Sequence, residues 1–191
     1  MLSDRHLAEA IGRGELVIDP LEEGQIQPAS IDLRLGDTFA ALPNDHPLFA
    51  GYIDPLAPPT QPHRFRTLAE GVQYPLAPHG FALACTVETV GLDDSLVGIL
   101  AGKSSLARHG LAIECAGYVD PGFQGQLTLE LANLTKYTIM LTPGMRIAQL
   151  AVYELSCRAM RAYGSKGLGS HYQHQTGPTL SRSHVRQGRA A

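Results

Sequence analysis

Four stretches of this 191-residue chain put chemically useful side chains at short spacing. In Lys103-Ser104-Ser105-Leu106-Ala107-Arg108 two cations bracket two hydroxyls, directly after the apolar run Leu96-Val-Gly-Ile-Leu-Ala. Lysine supplies a compact point charge, arginine a planar fork of donors, and serine a short donor and acceptor. With the backbone N–H groups at a strand end, this set suits a cradle for phosphate oxygens and a reactive water. It suits a solvated turn as well, and it is not the Gly-rich Walker pattern. Asp120 opens Asp-Pro-Gly, so it either starts a turn or offers a carboxylate to a sugar hydroxyl or a water. In the segment 126–133, alternation places Leu127, Leu129 and Leu131 on one face and Thr128 and Glu130 on the other. A mid-strand glutamate is either solvent-facing or functional. Facing an enclosed pocket, its carboxyl rises toward the range useful for proton transfer. Gln149, beyond a Pro-Gly turn, presents an amide opposite Ala148 and Leu150, either exposed or in a site.

These side chains need a scaffold, and the bulk properties describe one. Hydrophobic residues make up 44% of the chain and charged residues 17%, as in a globular domain with a sizeable core. The net charge of −3 argues against a general nucleic-acid binder. No apolar run is long enough to cross a bilayer, and the N-terminal residues do not read as a signal peptide. The expectation is a cytoplasmic protein without nucleic-acid or membrane partners. Cys85, Cys115 and Cys157 are odd in number and far apart, which points to reduced, buried thiols. There is no Cys-x-x-Cys, and no histidine is followed two residues later by glutamate, so the signature of zinc deaminases is absent.

The patterning predicts a short N-terminal helix capped by Ser3, with Leu7, Ala10 and Ile11 on one face and Gly12 or Gly14 at its end. Over 25–36, Ile31, Leu33 and Leu35 alternate with Asp32 and Arg34, as in a half-buried strand. Residues 42–79 read as loops with short strands. Strands are expected over 80–92, 96–101, 111–119, 126–134, 137–141 and 145–155, separated by turns, so the fold class is all-β, a sandwich or barrel. From residue 164 the composition shifts: five glycines, no acidic residue, and the cations Lys166, Arg182, Arg186 and Arg189. Such a segment is either a frayed terminus or a cationic lid over an anionic ligand, with Tyr163, Tyr172, Gln173 and Gln175 able to stack on and bond to a base. The expected organisation is a β domain over 1–163 and a tail over 164–191.

Taken in order, QPASIDLRLG, GKSSLARHGL, AGYVDPGFQGQLTLELANLT, PGMRIAQL and HYQHQTGPTLSRS resemble the motifs of the dCTP deaminases in the dUTPase-like superfamily. The resemblance implies a distorted jelly-roll or β-barrel of dUTPase-like type with a flexible C-terminal lid, assembled as a homotrimer with active sites between subunits. It implies deamination of dCTP to dUTP without zinc and without any protein-held metal, with Mg²⁺ carried on the triphosphate and dTTP as an inhibitor to test. By the same resemblance Glu130 matches the catalytic acid/base, and Ser104 and Arg108 match the groups that hold the attacking water. Lys103 and Ser105 match phosphate contacts. Asp120 matches the residue near the deoxyribose. Thr128, Gln149, Tyr163 and Gln175 match nucleotide contacts, with Leu106, Ala107 and Leu129 inside the same binding segments. Two departures stand out. The stretch between the Lys-Ser-Ser and Asp-Pro-Gly motifs is short here, and His171 stands where lysine commonly contacts phosphate, which makes that contact depend on imidazole protonation. The form AGYVDPGF resembles the subset that also hydrolyses the triphosphate and releases dUMP. Other functions to separate are a plain dUTP pyrophosphatase and an inactive nucleotide-binding trimer.

Overall fold

The computed structural model describes residues 1–41, 63–114 and 117–186. Cys115, and most of the loop expected over 42–79, therefore lie outside the described residues. The all-β expectation holds. Helix α1 (Asp4–Gly12) is followed by β1 (Leu16–Asp19), β2 (Ile26–Gln27), β3 (Ser30–Arg34), β4 (Thr38–Ala41), β5 (Arg64–Thr67) and β6 (Tyr74–Leu76). Then come β7 (Phe81–Leu92), β8 (Leu96–Gly102), the one-turn helix α2 (Ser104–Ala107), β9 (Leu111–Glu114) and β10 (Tyr118–Val119). The chain continues through β11 (Gln124–Asn133), β12 (Ile139–Leu141) and β13 (Arg146–Glu154) to a short helix, α3 (Ser183–Arg186).

The strands form two main antiparallel sheets. The first runs β5-β4-β7-β11-β9, the second β10-β8-β13-β3-β2, and β6 pairs with β12 separately. β7 is long enough to serve two partners on one edge, β4 through Leu83 and Ala82 and β1 through residues 89–92, while β11 lies along its other edge. Alternation in β11 puts Leu127, Leu129 and Leu131 into one core with Ile31, Leu33, Leu150 and Val152 of the second sheet. Each such leucine, fully buried, contributes about 1.5–3 kcal/mol. Leu7 and Ala10 bring α1 onto this core, as expected, and Phe39 stacks on Tyr74 at 4.1 Å.

Several expectations are corrected. The Ser3 hydroxyl makes no cap hydrogen bond; the Ser3 carbonyl accepts from Leu7 N–H instead. The single strand expected over 111–119 is two strands in different sheets, because β9 pairs with β11 and β10 with β8. Cys157 is exposed, not buried, since it follows the last strand; Cys85 is buried within β7. Asp32 is not on a solvated face but only 2% exposed.

Candidate active site

The Lys-Ser-Ser stretch is neither a bare turn nor an extended loop. It winds into α2, with Lys103 C=O accepting from Leu106 and Ala107 N–H, and Gly110 (φ +79°) ends the turn in the left-handed region open to glycine. Leu106 anchors α2 to the core beside a cleft of about 410 Å³ lined by His109, Leu111, Tyr137 and Met140, while Ser104, Ser105, Ala107 and Arg108 face outward. Lys103 turns back: its Nζ donates to Asp32 Oδ1 at 2.5 Å, and Arg146 Nη1 donates to Asp32 Oδ2 at 3.4 Å. Gln149 is half-buried and sits opposite Asp32 and Ala101 across the sheet, so it shares their face. Lys103, Asp32, Arg146 and Gln149 thus form one polar group at the end of the second sheet.

Asp120 starts the expected turn. Its C=O accepts from Phe123 N–H at 3.0 Å, and Gly122 has φ +88°, as the third residue of a type II turn requires. The Asp120 carboxylate is exposed. This turn receives the start of the tail: Pro121 C=O accepts from Tyr163 N–H at 2.7 Å, and the Tyr163 ring lies 5.8 Å from that of Phe123. A Cβ on Gly122 would come within 2.6 Å of Ala162 Cβ, so the approach tolerates no side chain. The Tyr163 hydroxyl accepts from Tyr172 N–H at 3.0 Å.

The tail then runs along β11. Gln124 C=O accepts from His174 N–H at 2.7 Å, and Gln126 N–H donates to Gln175 C=O at 3.0 Å. Gln175 Nε2 donates to Gln126 C=O at 2.7 Å, and Thr179 N–H donates to Thr128 Oγ1 at 3.2 Å. His171 C=O accepts from the Arg182 guanidinium, which also lies over the Tyr172 ring. Thr128 and Glu130 are half-buried on the face expected for them, and Glu130 Oε2 is shielded from solvent. Leu129 points the other way and is fully buried in the core. The register sets Glu130 between Leu83 of β7 and Glu114 of β9.

A buried polar cluster supports this strand. Between Gln126 and Thr128 the register with β7 shifts, and Thr86 Oγ1 accepts from the freed Leu127 N–H at 3.0 Å. Thr86 Oγ1 donates to Glu88 C=O at 2.7 Å. The Glu88 carboxylate is fully buried and accepts from Gln25 Nε2 (2.9 Å), Arg34 Nε (2.6 Å) and Arg34 N–H (2.9 Å). Burial opposes the charge of Arg34, but its bonds to Glu88 and Glu22 outweigh that and raise its pKa above the ordinary value.

The predicted residues therefore fall into two sets. Lys103, Ser104, Ser105, Arg108 and Gln149 belong to the end of the second sheet. Asp120, Thr128, Glu130, Tyr163, His171 and Gln175 belong to β11, its turn and the tail. The sequence reading passed over Asp32, Arg146, Gln126 and the Glu88–Arg34 pair as functional supports. Asp32 alternates with Ile31 and Leu33 as an outward residue would, so local patterning did not mark it, and its partners lie too far along the chain to be seen. Among the described residues no group of three or more His, Cys, Asp or Glu side chains converges as a metal site, and no helix is long and apolar enough to cross a membrane.

Residues 1–155 match the family model described as dCTP deaminase-like. A protein of Beutenbergia cavernae named "dCTP deaminase, dUMP-forming" is 43% identical over 187 residues, covering 97% of this chain and 96% of the relative. One of the same name from Salinispora tropica is 45% identical over 184 residues, covering 96% and 94%. Among solved structures, the 2'-deoxycytidine 5'-triphosphate deaminase of Agrobacterium tumefaciens shares the fold, with a TM-score of 0.61 at 20% identity. That likeness covers 79% of this chain, which spans 46% of the longer Agrobacterium chain. By its match over residues 1–155 and its near full-length relatives, the chain belongs to the dCTP deaminase-like family.

Proposed function

We propose that this protein deaminates dCTP and carries the nucleotide on to dUMP, releasing ammonia and pyrophosphate. The observation that carries the reading is identity of 43–45% over nearly the full length to proteins named as dUMP-forming dCTP deaminases. Those names favour the dUMP product over the dUTP product that the sequence reading put first. The substrate is dCTP as its Mg²⁺ complex, the phosphates supplying most of the oxygens a hard cation prefers.

In this reading the tail lies over the Thr128–Glu130 face as a lid, and Glu130 serves as acid and base in turn. Water attacks cytosine C4 while Glu130 takes its proton and delivers it to N3. Glu130 next takes the proton of the new C4 hydroxyl and delivers it to the amino nitrogen, the C4–N bond breaks, ammonia leaves, and C4 keeps the oxygen as a carbonyl. Each proton transfer by a positioned carboxylate is worth about 10²–10⁴-fold. Ser104 and Arg108 hold the water, and Arg108 supports the negative charge that develops. Asp120, near the sugar, orients a second water toward the α-phosphate, and the bond to the departing pyrophosphate breaks. Lys103, Ser105 and His171 contact phosphates, while Leu106 and Ala107 shape the cradle from α2. Gln149, Thr128, Leu129, Tyr163 and Gln175 surround the nucleoside, Leu129 through its backbone. Ser104, Ser105 and Arg108 are exposed while the chain's own tail covers β11, an arrangement suited to a site completed by a neighbouring copy in a homotrimer. The residues 1–163 then act as the β domain and 164–191 as its closing segment.

The test is a product assay on dCTP with Mg²⁺. Ammonia and pyrophosphate released in equal amounts, with dUMP and no accumulating dUTP, are expected. Accumulation of dUTP restores simple deamination. Hydrolysis of dUTP without ammonia from dCTP makes the protein a pyrophosphatase, and binding without turnover leaves a nucleotide-binding protein.

A further inference from the structure

Among the described residues β9 pairs with β11 from Asn133 back to Glu130, which leaves the edge of β11 over 124–128 to another segment. Open strand edges carry unpaired N–H and C=O groups and attract any extended segment. Here the chain's own tail fills the gap, and Gln126 is where the bonds concentrate. Its N–H donates to Gln175 C=O (3.0 Å) and its C=O accepts from Gln175 Nε2 (2.7 Å). Its side-chain Oε1 accepts from Gly177 N–H (2.7 Å), while Nε2 reaches back to Val87 C=O on β7 (3.3 Å). The side chain thus bridges β7 and the tail and pins residues 175–177 in one register. Gly177 has φ +69°, so the chain bends there and Thr179 reaches Thr128 Oγ1. Gln173 adds a second pin, donating to Gly122 C=O and accepting from Gln124 N–H.

We propose that Gln126 is a positioning residue: its side chain clasps the tail at Gly177 and so sets Gln175 and Thr179 over the Thr128–Glu130 face. The role rests on the nucleotide site proposed above, but the hydrogen bonds of the clasp are all made within the chain. Substrate binding would close a tail that the clasp already holds in register, so the clasp contributes mainly to binding and less to the chemical step.

The experiment has two readouts on the full chain, comparing wild type, Gln126→Ala and Gln126→Glu. Glutamate keeps the acceptor for Gly177 and loses the donor to Val87. Amide exchange of residues 173–180 in free protein is expected to quicken about five- to thirtyfold in Gln126→Ala and much less in Gln126→Glu, with unchanged exchange in β13. With dCTP, KM is expected to rise about tenfold in Gln126→Ala with kcat within about threefold, and Gln126→Glu to recover most of the loss. Equal tail exchange in wild type and Gln126→Ala overturns the clasp. A fall in kcat at unchanged KM overturns its role in binding. Quickened exchange in a protein inert toward dCTP leaves the clasp standing and refutes the proposed reaction instead.

Discussion

Lys103 Nζ lies 2.5 Å from Asp32 Oδ1, joining the first residue of the candidate phosphate cradle to a carboxylate 71 positions earlier in the chain. The Asp32 side chain is 3% exposed and shares its other oxygen with Arg146, so one buried anion aims two cations. Breaking a buried ion pair costs about 3–5 kcal/mol, and solvent access to Lys103 and Arg146 reduces this to about 1–3 kcal/mol. Asp32→Ala and Asp32→Asn should both lower the melting temperature and raise KM for Mg–dCTP about tenfold or more. Steady-state kinetics showing an unchanged KM in both variants would remove Asp32 from the site.

Glu130→Gln keeps the shape of the side chain and removes its proton affinity. Ammonia release from dCTP should fall by at least about 10²-fold with an unchanged melting temperature. Equal rates in variant and wild type would refute the assignment of Glu130 as acid and base.

Burial pushes the Cys85 thiol up to about 11, with the Asp37 charge adding to the effect, whereas Cys157 is exposed. Thiolate is the reactive form. At pH 8 iodoacetamide should therefore modify Cys157 quickly and leave Cys85 intact in native protein, as read by peptide mass spectrometry. Rapid labelling of Cys85 would mean that β7 opens.

Partial burial would raise the pKa of Asp93, but hydrogen bonds from Ser95 Oγ and Ser95 N–H, and then Arg158, outweigh it and hold the carboxyl below its usual value. A depressed folded pKa stabilises the native state above the unfolded value, about 3.9, and that stabilisation is lost as pH falls through the folded value. Ser95→Ala should therefore lower the melting temperature clearly at pH 6, and the two melting curves should draw together as pH falls below the unfolded value. A constant gap across that range would rule out Asp93 as the cause.

Gly122→Ala should destabilise the protein by about 1–3 kcal/mol, because alanine resists φ +88° and its Cβ would press on Ala162. Chemical denaturation checks the magnitude. Faster exchange at the Tyr163 amide, bonded to Pro121, should accompany it.

Much of this protein was determined by its sequence alone. The alternation in 126–133 settled which side of β11 enters the core, because a period of two leaves Leu127, Leu129 and Leu131 no other side. The Asp120-Pro-Gly turn followed from the φ that proline presets and glycine permits. Five ordered motifs were enough to indicate the family. The tertiary structure alone decided the rest. Asp32 reads as an outward residue of an alternating strand until Lys103 and Arg146 arrive from distant parts of the chain to neutralise it. Residues 111–119 look like one strand because local propensity carries no information about which sheet each half joins. The tail looks like a frayed terminus because glycines and polar residues build no core. Its order comes from backbone groups that β11 leaves open where β9 stops, and pairing between segments some fifty residues apart leaves no trace in local patterning.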